Sequence, residues 1–151
     1  MTLSSACPLC DGPGGHLVFQ GPKFRLIRAD EAGFPAFYRL VWTAHVKEFS
    51  DLSAAERREC MEAVVLVEQV LRERLQPAKI NLASFGNVVP HVHWHVIARF
   101  VWDSHFPAPV WDAALRSAPA AEVARVESLR PALEAEMGRR LSAATSNPTA
   151  S

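Results

Sequence analysis

Three of the six histidines fall within five residues, in the run Pro90-His91-Val92-His93-Trp94-His95-Val96-Ile97. In an extended strand alternate side chains share a face. This spacing therefore predicts His91, His93 and His95 on one face and Val92, Trp94 and Val96 on the other, which reads as the core face. Imidazoles two residues apart start about 6.5–7 Å apart at the backbone, close enough to share a ligand or to divide tasks along a substrate. Two chemistries fit. Two or three rings can bind a metal, or a neutral imidazole can attack phosphorus and leave again. A second group of reactive residues is Cys7-Pro8-Leu9-Cys10, whose spacing lets both sulfurs reach one tetrahedral ion. A redox pair or two reduced thiols would use the same spacing. With Cys60 the cysteines number three, odd and too few for a disulfide framework.

These residues must be held by a small domain. The chain has 151 residues, 49% apolar and 21% charged, enough for one domain with its own core. Lys plus Arg and Asp plus Glu are 16 each, so the formal net charge is zero and a nucleic-acid polymer is not the expected partner. No apolar run reaches the roughly 18 residues of a membrane span, and the N-terminus lacks a secretory pattern, so a cytoplasmic location is expected.

Short apolar runs predict strands at His16–Gln20, Phe24–Ala29 and Phe37–Thr43, then at Lys79–Phe85 and His91–Phe100. Ser53 to about Arg74 predicts a helix, opened by the capping box Ser53-x-x-Glu56 and ended before Pro77. Its apolar positions put Cys60 on the buried face. Further helices are expected near Val110–Ser117 and Ala120–Leu141, the latter broken or kinked at Pro131. Residues 1–141 read as one domain with a C-terminal helical extension, and 142–151 as a frayed tail. Hairpin-linked strands with helices set apart give an α+β class with a mostly antiparallel sheet.

The histidine run resembles the signature of the histidine triad (HIT) family, His-x-His-x-His followed by two apolar residues, here Val96-Ile97. His45 followed by Phe49-Ser50-Asp51-Leu52-Ser53, and the N-terminal Cys-Pro-Leu-Cys, recur in that family in the same order. The resemblance spans roughly residues 7 to 100. It implies a five-stranded, mostly antiparallel sheet with two main helices, and a homodimer. It also implies a nucleotide hydrolase or transferase acting at the α-phosphate, with a dinucleoside polyphosphate as the first substrate expected. Carried onto this chain, His93 is the nucleophile that forms a nucleotidyl-histidine intermediate. His95 contacts the phosphate and leaving group. His91 orients His93 through its backbone carbonyl. No catalytic metal is required. The resemblance also implies a structural zinc site of Cys7, Cys10, His45 and His91, tying the N-terminal segment to the back of the catalytic strand.

The departures concern the phosphate cradle. Where many members have Gly-Gln-Ser/Thr before the triad, this chain has Gly86-Asn87-Val88. Asn87 keeps an amide on a shorter stem, and Val88 lacks a hydroxyl. Asn81 stands one residue from a family asparagine, and Phe37-Tyr38 replaces a Gly-His pair. Further substrate-binding candidates are Arg99 as a bidentate phosphate donor, Arg28 beside Asp30 near the ribose, and His105 at the mouth of the site. Trp102, Trp111 and Phe106 are candidates to wall a base cleft. A nucleotidyl transferase with an acceptor other than water, and a nucleotide-binding module with vestigial activity, are the alternative functions.

Overall fold

All five predicted strands form, and they join in one antiparallel sheet. In the computed structural model, which describes residues 7–146, the strands are β1 (His16–Gln20), β2 (Phe24–Arg28), β3 (Phe37–Trp42), β4 (Lys79–Ala83) and β5 (His93–Arg99). Their order across the sheet is β1-β2-β3-β5-β4, so β5 is an interior strand flanked by β3 and β4. The short helix α1 (Pro8–Asp11) precedes β1, and the long helices α2 (Ala54–Leu75) and α3 (Ala120–Ser146) pack on one face. No helix among the described residues is long and apolar enough to cross a membrane.

Strand alternation explains the two faces. Phe24, Leu26, Tyr38, Leu40, Trp42 and Val96 point toward the helices and meet Val64, Val67 and Leu71 of α2 and Leu133, Met137 and Leu141 of α3. Arg25, Arg39, Val41, His93, His95 and Arg99 occupy the other face, because paired residues in register share a side. That face carries α1 and the loops rather than a long helix. Leu9 of α1 packs there on Ile27 and Val41.

Helix α2 follows its sequence signals. Ser53 Oγ accepts from the Glu56 N–H at 3.2 Å, and the Ser53 N–H donates to the Glu56 carboxylate at 2.7 Å. The helix closes at Gln76, in the left-handed region at φ 48°, just before Pro77. Cys60 is buried as the spacing predicts, and burial pushes its thiol up to about 12.

Three sequence expectations fail here. Residues 110–117 form turns, not a helix. Their amides are drawn elsewhere: those of Leu115 and Arg116 donate to the Ser104 carbonyl at 2.8 and 3.2 Å. Pro131 does not end α3, which continues to Ser146. Burial of Leu133, Met137 and Leu141 offsets the one backbone bond that proline removes. Ser142–Ser146 is thus helical instead of frayed, and residues 147–151 lie outside the described residues.

Candidate active site

The strand β5 begins at His93, two residues later than the sequence predicts. His91 lies in the turn that follows Pro90, where its N–H donates to the Val89 carbonyl at 2.8 Å. Its ring is buried. Nε2 donates to the Trp42 carbonyl at 2.6 Å, which leaves Nδ1 with a free lone pair. His93 has the opposite tautomer. Its Nδ1–H donates to the His91 carbonyl at 2.6 Å, so Nε2 carries the lone pair. The carbonyl can only accept, and that settles both assignments.

His95 stands beside His93, with ring centroids 5.1 Å apart and nearly perpendicular planes. Phe37 and Trp111 meet it edge-on at 5.5 and 5.3 Å. Burial, then the neighbouring His93 and the Arg39 guanidinium, push the His95 imidazole down to about 4. Burial, partly offset by the bond to His91, lowers His93 as well. Both rings are therefore neutral bases near pH 7.

His93 and His95 line a cavity of about 610 Å³ together with Leu9, Arg39, Phe85, Asn87, Val89 and Trp111. Gly14 also borders it at φ +84°, where a side chain would collide with Leu9. Asn87 thus borders the same cavity as His93 and His95. Several other candidates do not. Arg28 lies on the opposite face of the sheet, ion-paired to Glu134 of α3. Arg99 is buried and uses four of its five N–H donors: Nε and Nη2 donate to Asp103 at 2.8 and 3.1 Å, Nη1 to Asn81 Oδ1 at 2.8 Å, and Nη2 to the Ala108 carbonyl at 2.8 Å. Arg99 and Asn81 border a neighbouring cavity of about 530 Å³, across Trp111. His105 is turned away, with Nδ1 2.7 Å from Ser104 Oγ and its ring on Phe34. Of the aromatic candidates Trp111 walls the cavity, whereas Trp102 stacks on Phe100 at 4.6 Å and Phe106 faces Arg99.

Two arginines that the sequence does not single out serve this face. Arg25 donates to the carbonyls of Leu9, Gly12 and Pro13 at 2.7, 3.0 and 3.0 Å, which pins the N-terminal segment over the sheet. Arg39 is the cross-strand partner of His95, and its Nε donates to His95 Nδ1 across 3.4 Å. Strand register could have found Arg39, since it is fixed by the alternation shared with Val41.

That pinned segment brings Cys7 and Cys10 to His45 and His91, with one ligand atom of each within 4.8 Å of every other. His91 Nδ1 lies 3.5 Å from both sulfurs and 3.2 Å from His45 Nδ1, and Cys10 Sγ lies 3.3 Å from His45 Nδ1. The ligand separations in a tetrahedral zinc site with bonds of about 2.0–2.3 Å are about 3.3–3.8 Å, so the group fits such an ion. The Trp42 bond on Nε2 is the kind of partner that aims a ligating imidazole. The group can hold a metal ion, but it does not sit behind the catalytic strand. It lies on the same face as the cavity, because Leu9 packs on Val41.

An antiparallel sheet of this order, carrying an ordered histidine run beside a cavity, defines a histidine triad architecture. The sequence model of the HIT domain matches residues 14–101, and the chain belongs to that family. Among solved structures, a histidine triad protein of Bradyrhizobium japonicum is 26% identical with a TM-score of 0.69, covering 83% of this chain and 92% of its own. One from Marinobacter aquaeolei is 20% identical with a TM-score of 0.66, covering 85% and 92%. A zinc-bound histidine triad family protein of Mycobacterium smegmatis is 21% identical with a TM-score of 0.58, covering 91% and 97%. A search of curated protein sequences finds no match. Family membership implies a nucleotide-binding protein of the hydrolase and transferase class.

Proposed function

We propose that the protein hydrolyses a nucleotide at its α-phosphate through a covalent nucleotidyl-His93 intermediate. The observation that supports this most is the 2.6 Å bond from His93 Nδ1 to the His91 carbonyl, which leaves Nε2 as the nucleophile in a ring lining the cavity. In the first step Nε2 bonds to the α-phosphorus while the bond from phosphorus to the leaving group breaks. The departing atom accepts a hydrogen bond from the His95 Nε2–H and takes its proton from solvent. In the second step water adds to phosphorus and loses a proton to solvent, the P–N bond breaks, and His93 is regenerated as the neutral base. Burial that keeps both rings neutral favours this route, since an imidazolium cannot attack.

In this proposal Asn87 and the Gly86–Val89 backbone hold the phosphate, Leu9 and Val89 face the nucleoside, Trp111 and Phe85 wall the leaving-group side beside His95, and the physiological unit is a homodimer. A structural zinc ion is held by Cys7, Cys10, His45 and His91. Four protein ligands leave no open position, so the ion supplies rigidity and not chemistry.

A second reading is favoured by one observation. Val88 replaces a hydroxyl donor and is 92% exposed, so the phosphate loop has fewer side-chain donors. A binding module with vestigial turnover would tolerate that loss. The experiment is product analysis with a dinucleoside tetraphosphate, an adenosine phosphoramidate and a nucleotide sugar, for wild type and His93→Ala. Turnover that vanishes in the variant supports hydrolysis. Binding without wild-type turnover of any member supports the module.

A further inference from the structure

Arg39 has no part in the sequence motif, yet its guanidinium lines the same cavity as His93 and His95. It is held from two sides. Its Cζ lies 5.4 Å from the centre of the Phe37 ring, and Nε donates to His95 Nδ1. Its only carboxylate partner among the described residues is Glu31, at 3.5 Å, and that side chain is 47% exposed. Two contacts leave most of its five N–H groups free. The guanidinium is a cation, so the cavity holds a positive charge beside the His93 and His95 rings.

The cavity is also ordered along the strands. Val41, the partner of His93, carries Leu9 and borders Val89, an apolar end that suits a nucleoside. Arg39, two residues along β3, is the partner of His95. A nucleotide attacked at His93 with its nucleoside at the Leu9 end places the atoms beyond the scissile bond at His95 and Arg39.

Building on the hydrolase reading above, we propose that Arg39 is the leaving-group specificity residue. It grips a phosphate beyond the attacked one and so selects substrates whose leaving group is a phosphate anion over those that release an amine. Its bond to His95 Nδ1 also places the His95 proton on Nε2, from which the ring donates a hydrogen bond to the departing oxygen. Glu31 competes for the same guanidinium and yields to phosphate, which binds arginine bidentately and at shorter range.

The test uses binding as well as turnover. Calorimetric affinities for ATP and AMP, which differ only beyond the α-phosphate, are measured for wild type, Arg39→Gln and Glu31→Gln. Wild type is expected to prefer ATP by about tenfold to a hundredfold, the range of a charge-assisted hydrogen bond, and Arg39→Gln to abolish the preference. Glu31→Gln, an exposed change that spares the fold, is expected to tighten ATP and leave AMP unchanged. An ATP-to-AMP ratio unaltered in Arg39→Gln, or ATP unaffected in Glu31→Gln, overturns the proposal. In turnover, Arg39→Gln should lose more kcat/KM on a dinucleoside tetraphosphate than on an adenosine phosphoramidate. Equal losses overturn leaving-group selection. Wild type that turns over neither substrate refutes hydrolysis itself, while the binding ratios still decide the role of Arg39.

Discussion

His91 accepts a 2.6 Å hydrogen bond from His93 Nδ1 on its carbonyl oxygen while its own ring donates across 2.6 Å to Trp42. One residue thereby fixes the tautomer of its neighbour with its backbone and offers Nδ1 to the Cys7-Cys10-His45 group with its side chain. The candidate metal centre and the candidate nucleophile are thus two bonds of the same residue, and both lie on the open face of the sheet.

If the metal is structural, Cys7→Ser should lower stability by about 4 kcal/mol, the scale of losing a metal site. Metal content, measured by elemental analysis, should fall with it. The kcat of the folded fraction should change far less than the unfolding midpoint. A well-folded Cys7→Ser protein with unchanged metal content and a large fall in kcat would count against this assignment.

His95 makes a pH prediction. Its folded imidazole is lowered to about 4 by burial, against an ordinary value of 6.5. Below pH 6.5 the unfolded chain takes up this proton and the folded chain does not. The contribution is therefore complete above about pH 6.5 and is lost progressively as pH falls toward 4, by up to about 3 kcal/mol. Urea unfolding of wild type and His95→Asn at pH 7 and pH 5 measures it. The variant should lose less stability between the two pH values than wild type; equal losses would contradict the burial of a neutral ring.

Asp103 is buried and accepts from Arg99 at 2.8 and 3.1 Å and from the amides of Phe100, His105 and Phe106 at 3.1, 2.9 and 2.7 Å. Burial alone would raise its carboxyl, but the Arg99 and amide bonds hold it below the usual range. Asp103→Ala leaves a buried guanidinium without its counter-ion and should cost about 3–5 kcal/mol. Chemical denaturation reads this directly. A loss under about 1 kcal/mol, the range of a surface pair, would show the network to be exposed in solution.

The tail beyond Pro131 makes the fourth case. Leu141 and Met137 are fully buried against the core, so Leu141→Ala should cost about 2–5 kcal/mol. A thermal unfolding midpoint equal to wild type would mean that the end of α3 does not dock.

The sequence made the sheet and α2 legible because strand alternation and the Ser53–Glu56 box are local signals. The grouping of Cys7, Cys10, His45 and His91 came from the family resemblance and not from spacing, since only the chain's folding brings them within reach. The face of Arg28 was not legible. In Phe24-Arg25-Leu26-Ile27-Arg28 both Leu26 and Ile27 are apolar, so alternation does not say which arginine faces the helices. Arg39 escaped for a related reason: its role comes from pairing with His95, fifty-six positions away. The expected helix at 110–117 failed because its amides find the Ser104 carbonyl, a tertiary partner that no window of sequence contains.

The covalent intermediate is the central claim, and the direct measurement is intact-protein mass after a rapid denaturing quench at alkaline pH, where the P–N bond survives. Wild type mixed with a dinucleoside tetraphosphate should gain the mass of one nucleotidyl group, mapped by fragmentation to His93, and His93→Ala should gain none while still binding nucleotide. Turnover by wild type with no adduct at any quench time, or persistent turnover by His93→Ala, would contradict the account.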